Sequence, residues 1–249
     1  MDTRTHKIAL LVDGDNASAR LLALILEEAS KYGKVTIRRV YGDWTTPHMN
    51  NWKSSLNELA FNPIQKFSYT TGKNSTDSAL IIDAMDILHD ELVDGFCIVS
   101  SDSDYTGLAK RIREEGIFAM GIGEKKTPNA FVKSCEIFTY VENLEEKEED
   151  KEEEKVEEKS EKQIKKNTSN TEKPKLDLKL ITKAFEISAN ESDEAYISTI
   201  GFNLRKLDPS FDSRTYGYKT LTQLFKSIKG FQLVDNIING LNHPLLRRG

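Results

Sequence analysis

Apolar and polar positions alternate along the first 140 residues in the rhythm of a strand–helix repeat. The apolar run Ile8–Val12 leads into the turn Asp13-Gly14-Asp15-Asn16, and an apolar-striped helix is predicted from about Ser18 to Tyr32, ended by Gly33. Val35–Tyr41 is rich in β-branched residues and reads as a strand. A helix follows around His48–Ala60, then a short strand near Pro63–Phe67. Ser75 or Thr76 can cap a helix running to about His89. Phe96–Ser100 reads as a buried strand, Tyr105–Glu115 as a helix stopped by Gly116, and Ile117–Ile122 as another strand. Thr127-Pro128 opens a last helix in the favoured cap-then-proline order before a final strand, Ile137–Val141. Repeated units of this kind with near-continuous apolar strands predict an α/β, Rossmann-like parallel sheet covered on both faces. Right-handed crossovers then gather functional residues at the carboxyl ends of the strands.

The pattern breaks at residue 145. The stretch EEKEEDKEEEKVEEKSEKQIKKNTSNTEK carries only Val156 and Ile164 as aliphatic residues, so it reads as a charged linker, part exposed helix and part flexible chain. Beyond it, Leu178–Ser188, Tyr196–Leu207 and Lys219–Ile228 read as three short helices, and Phe231–Asp235 as a strand of a hairpin or wing. That outline predicts a small winged-helix-like unit. The expected organisation is therefore 1–144, a linker at 145–175, and 176–249.

Charge sharpens this division. The chain carries 35 basic and 40 acidic residues, a net of −5, which at first argues against nucleic acid. Residues 1–144 hold sixteen basic and twenty acidic side chains, 145–173 eight and twelve, and 174–249 eleven and eight, so the basic excess lies at the C-terminus. No apolar run is long enough for a membrane span and no signal-peptide segment opens the chain. Cys97 and Cys135 stand in unrelated contexts, without a spacing for zinc or a disulfide framework, so a cytoplasmic setting is expected. The four histidines are scattered; a bound metal would be held by carboxylates.

Those carboxylates stand out by position. Asp13 and Asp15 follow one strand, Asp102 and Asp104 follow another, and Asp77 opens a helix. In an extended Asp-x-Asp, positions i and i+2 point the same way, and neighbouring strands lie about 4.8 Å apart, so the side chains can converge on a cation-sized site. Oxygen ligands of this kind suit Mg²⁺ or Mn²⁺ beside substrate phosphates. Asp15, Asn16 and Ser18 are equally candidates to cap the first helix, and Asp77 suits a helix start by its charge alone. Gly121-Ile-Gly123 resembles half of a dinucleotide fingerprint, but Lys126 stands where its third glycine belongs, which argues against a nucleotide cofactor.

Five motifs in order carry a family resemblance: VDGDN at 12–16, VYGDW at 40–44, GKNSTD at 72–77, VSSDSDY at 99–105 and GIGEKKTPNAF at 121–131. Together, over residues 7–142, they resemble the NYN domains of the PIN-like nucleases, in the pattern of the bacterial LabA-like branch. The resemblance implies Mg²⁺- or Mn²⁺-dependent RNA cleavage, with Asp13, Asp77 and Asp102 as metal-binding acids, Asp104 as a fourth acid, and Asn16 and Ser100 orienting them. Ser100 also stands with Lys73, Lys125 and Lys126 among the positions expected along the RNA. Lys110, Arg111 and Arg113 are further phosphate candidates. The stretch DPSFDSRTYGYKTLTQLFKSI at 208–228 is similar to the OST-HTH, or LOTUS, domain, which implies RNA binding or a protein partner such as an RNA helicase. Lys219, Lys226 and Lys229 would meet phosphates there, and Tyr216 and Tyr218 offer either stacking faces or core packing. The expected function is an endoribonuclease with a tethered RNA-binding module. A catalytically inactive RNA-binding adaptor is the alternative, followed by a phosphatase of the haloacid-dehalogenase type on the strength of Asp13-Gly14-Asp15.

Overall fold

The computed structural model describes residues 6–67, 75–145, 174–238 and 241–249; the side chains of 75 and 76 are not described. Among the described residues no helix is long and apolar enough to cross a membrane. The chain divides into two compact units, 1–155 and 156–249.

The first unit is a six-stranded sheet: β1 Lys7–Asp13, β2 Lys34–Gly42, β3 Asn62–Gln65, β4 Gly95–Val99, β5 Phe118–Gly123 and β6 Ile137–Tyr140. All its pairings are parallel, in the order β3-β2-β1-β4-β5-β6. Five helices connect them: α1 Leu22–Ser30, α2 Trp52–Leu59, α3 Ser75–His89, α4 Thr106–Glu114 and α5 Asn129–Ser134. Side chains alternate across the strands, so β1 feeds two cores at once. Ile8, Leu10 and Val12 pack with α1 and α2 on one face. Ala9 and Leu11 pack with α3, α4 and α5 on the other. Cys97 and Cys135 belong to opposite faces, and burial pushes both thiols up, Cys135 to about 12.

Gly33 follows the end of the first helix, as expected, without a left-handed conformation. A Cβ there would meet the His6 carbonyl oxygen at 2.4 Å, so glycine is needed for the close pass of two backbones where Lys34 N–H donates to that carbonyl at 2.7 Å. Thr127 does not cap α5, because its hydroxyl donates to the Glu124 carbonyl at 2.6 Å.

In the second unit, α6 Leu178–Ser188, α7 Ile197–Leu207 and α8 Leu221–Lys226 enclose a core of Ile181, Phe185, Ile200, Leu204, Leu224 and Phe225. Asp177 caps α6 by accepting from the Lys179 and Leu180 amides. The expected strand of a hairpin or wing belongs to an antiparallel sheet, β7 Glu194–Tyr196, β11 Leu245–Arg248 and β8 Phe231–Val234, in the order β7-β11-β8. A separate hairpin pairs β9 Ile237–Ile238 with β10 Leu241–Asn242. The third helix is shorter than expected, since Thr220 caps it and its amide ladder ends by Ser227. Lys219 and Lys229 therefore flank α8 and do not share a helical face with Lys226.

Candidate metal centre

The sheet order reverses direction between β1 and β4: one branch of the chain runs outward through β2 and β3, the other through β5 and β6. At such a switch point the carboxyl ends of two adjacent strands leave a crevice between diverging connections. Register places Val12 beside Val99, so Asp13 and Ser100 face each other across that crevice.

Asp13 is fully buried. Its Oδ2 accepts from Asn16 Nδ2 and from Ser100 Oγ, both at 2.8 Å. Its Oδ1 is buried with no hydrogen-bond partner. Burial pushes the Asp13 carboxyl above its usual range; the two donors pull it down, and the charges of Asp77 and Asp15 raise it further. The turn that follows is held by Gly14 N–H donating to the Tyr41 carbonyl at 2.8 Å, and a Cβ on Gly14 would sit 2.7 Å from that oxygen. Ser18 makes no side-chain capping bond, and Asn16 is occupied with Asp13, which corrects their reading as caps.

After β4 the chain does not continue extended through Asp102 and Asp104. Ser103–Tyr105 form a turn of 3₁₀ helix, and Asp102 caps it by accepting from the Asp104 amide at 3.0 Å. The geometric reason given for convergence is therefore wrong, because a capped turn replaces the strand. Convergence itself is present: carboxylate oxygens of Asp77, Asp102 and Asp104 lie within 4.8 Å of one another. Asp77 reaches this point from the first turn of α3 and is buried, Asp102 is half-buried and Asp104 is exposed. Burial raises the Asp77 carboxyl; the hydrogen bond from Tyr105 lowers it, and the charges of Asp102, Asp104 and Asp15 raise it. Asp13 lies next to this trio and not among its closest oxygens.

Tyr105, the last residue of the VSSDSDY motif, is given no role by the sequence reading. Its ring is fully buried against Phe131, centroids 6.2 Å apart, and its hydroxyl donates to Asp77 Oδ1 at 2.7 Å. The hydroxyl also lies beside Asp13, and burial together with the charges of Asp13 and Asp77 raises its pKa. The only signal in the sequence was a polar atom on an aromatic directly after two acids.

The basic and serine candidates separate. Ser100 Oγ donates to Asp13 and accepts from the Asp102 amide at 3.1 Å, and the residue is buried. Ser101 Oγ accepts from the Glu124 amide and Lys125 N–H donates to Glu142, so these two amides after β5 already have partners. Lys125 and Lys126 are exposed, and Lys126 pairs with Glu124 at 2.8 Å. Arg111 pairs with Glu115, and Arg113 donates to the Ser134 carbonyl; both sit toward the end of α4 that leads away from the acids. Lys73 lies outside the described residues. In the second unit Lys219, Lys226 and Lys229 are exposed, whereas Tyr216 and Tyr218 pack against the core.

A fully buried carboxylate oxygen without a donor, beside three converging carboxylates, is an all-oxygen, strongly negative donor set, which fits a hard divalent cation.

Comparison with known proteins identifies two domains. The NYN domain model matches residues 7–145 and the OST-HTH/LOTUS domain model residues 171–241. An uncharacterized protein of Methanocaldococcus jannaschii is 29% identical over 123 residues, covering 47% of this chain and 48% of that protein, so the chain spans about half its length. Among solved structures, a protein of unknown function from Vibrio parahaemolyticus superposes with a TM-score of 0.48 at 20% identity, over 57% of this chain and 96% of that one. An uncharacterized protein of Nitrosomonas europaea gives 0.30 at 30% identity, over 36% and 90%. NYN domains belong to the PIN-like nuclease superfamily, and in combination with OST-HTH/LOTUS they support an RNA-related nuclease or binding role. Because the family model accounts for more than half of its length, the chain belongs to the NYN domain family, with an OST-HTH/LOTUS domain following it.

Proposed function

We propose that the first unit is a divalent-cation-dependent endoribonuclease of the LabA-like branch, and that the second brings RNA to it. The observation that carries this reading is the convergence of Asp77, Asp102 and Asp104 at the β1–β4 crevice, next to an Asp13 oxygen that no donor satisfies. Asp13, Asp77, Asp102 and Asp104 are the residues that would hold Mg²⁺ or Mn²⁺. Such an ion would supply charge stabilisation at a phosphodiester and lower the pKa of a water.

The chain's own residues do the rest by position. Ser100 and Asn16 hold Asp13 by one oxygen, and the Asp104 amide holds Asp102. Ser100 is committed on both sides, to Asp13 and to the Asp102 amide, which leaves it unsuited to act as a covalent nucleophile. The same enclosure speaks against a phosphatase in which Asp13 attacks substrate, since that carboxylate is wholly buried and already accepts two hydrogen bonds. In the second unit the exposed Lys219, Lys226 and Lys229 belong to the chain's one net-positive segment and would meet RNA phosphates. A linker at 145–175 would keep the two units at high effective concentration for one RNA. We place the protein in the cytoplasm, and a helicase at the second unit is the partner to seek should RNA not bind there.

The test incubates purified full-length protein with structured and single-stranded RNA in Mn²⁺, Mg²⁺ or chelator. Cleavage is expected with metal and none with chelator, and Asp102→Asn should abolish it while the protein stays folded. Full activity in Asp102→Asn would refute the acid assignment. Metal-independent binding without cleavage would establish the adaptor.

A further inference from the structure

Asp13, Asp102 and Asp77 are each oriented by a donor, and the donors differ in origin. Asp13 takes its two from Asn16 and Ser100, and Asp102 takes its own from the backbone of the turn it caps. Asp77 stands apart: it arrives from a separate element, α3, and among the described residues the side chain that ties it to the others is Tyr105. We infer that Tyr105 is a positioning residue for the cation site, its hydroxyl locking the Asp77 carboxylate into the set with Asp102 and Asp104. This rests on the metal-centre reading proposed above.

Three observations carry it. The hydroxyl lies 2.7 Å from Asp77 Oδ1 in a buried environment, where a hydrogen bond to a carboxylate is strong. Tyr105 closes the same 3₁₀ turn that contains Asp104 and is capped by Asp102, so one bond sets the distance between the start of α3 and the β4–α4 turn. The ring cannot swing away, because it is fully buried and packed on Phe131 of α5. An aspartate's terminal torsion is otherwise broad and roughly two-fold. Without the phenol, the Asp77 carboxylate would rotate out of the arrangement in which its oxygen meets those of Asp102 and Asp104. Removing such an outer partner of a metal ligand typically lowers metal affinity or activity about 10–100-fold.

The test is Mn²⁺ binding to the full chain, followed by the loss of the free-ion electron paramagnetic resonance signal, with no RNA present. Wild type, Tyr105→Phe, Asp77→Ala and the double variant are compared. Tyr105→Phe is expected to weaken Mn²⁺ binding about tenfold. In the Asp77→Ala background the same change should have less than a twofold effect, since the ligand it serves is gone. Unchanged affinity in Tyr105→Phe, or an equal loss in both backgrounds, would overturn the role of Tyr105 while leaving the metal centre standing. A wild type that binds no Mn²⁺ would overturn both. If Tyr105→Phe fails to fold, the phenol serves stability and the proposal falls.

Discussion

The sharpest consequence of the buried Asp13 concerns stability. Asp13→Asn preserves one oxygen for the Ser100 and Asn16 donors, and exchanges the partnerless Oδ1 for an amide nitrogen that gains no partner either. A buried hydrogen-bonding group left unsatisfied costs about 1–3 kcal/mol, and more if it is charged. The substitution trades the charged case for the neutral one, so a gain of about 1 kcal/mol is expected without metal. For a unit of this size that is about 4 °C in the midpoint of thermal unfolding. The pH dependence follows from the raised carboxyl. Between its ordinary value of 3.8 and its folded value, the folded state binds more protons than the unfolded state. Stability therefore falls as pH rises through that window, and the cost is fully present above it. Calorimetry in chelator should show Asp13→Asn melting higher than wild type at pH 7.5, with the gap narrowing as pH falls toward 4. Excess Mn²⁺ should raise the wild-type midpoint more than that of the variant. A variant that melts at or below wild type at pH 7.5 in chelator would show that Asp13 carries no uncompensated charge.

Ser100→Ala removes a donor to Asp13 and the acceptor of the Asp102 amide, one buried and one part-buried bond worth about 2 kcal/mol together; the midpoint should drop in calorimetry, and Mn²⁺ binding should weaken with it. The second unit has its own core, so 174–249 should fold alone and bind single-stranded RNA with an affinity that falls steeply as salt rises. Replacing Lys219, Lys226 and Lys229 by Gln should cut the slope of log affinity against log salt by about 2, read by fluorescence anisotropy, and an unchanged slope would move the RNA contact elsewhere.

Much of the first unit was legible because its strands are buried on both faces. Ile8–Val12 and Phe96–Val99 are continuous apolar runs, and such runs ending in Asp or Ser-Ser-Asp declare both the strand and the place where its polar residues emerge. Asp13 and Ser100 could be put at strand ends from the sequence, but their being neighbours is a matter of sheet order, which no local pattern encodes. The Asp102–Asp104 geometry was misjudged for a local reason. An aspartate followed two residues later by a free amide at a helix start favours capping over extension, and capping won. In the second unit β7 and β11 went unseen because strands of three and four residues are too short for alternation to show, and their pairing joins residues about fifty apart. The tyrosines followed packing: Tyr216 lies 5.8 Å from Phe211, ring to ring, and is shared with the core that a unit this small needs.

The features that were hardest to read are also those that weaken the fold. A buried carboxylate oxygen without a donor and three acids converging at one point each lower stability, and nothing among the described contacts of the first unit compensates them with a buried cation. Three of its basic side chains are engaged elsewhere: Arg39 with Asp83, Arg111 with Glu115, Lys126 with Glu124. Meanwhile Asp13, Asp102 and Asp77 are oriented by donors from Ser100 and Asn16, the Asp104 amide and Tyr105. A site that had lost its use would be free to drift toward neutral residues, because every such change relieves repulsion. Negative charge that is both costly and carefully aimed is better explained by a ligand that completes it. That argument turns the stability of Asp13→Asn into a functional measurement: a variant more stable without metal, and unable to gain from metal, identifies the charge as held for a cation and not for the fold.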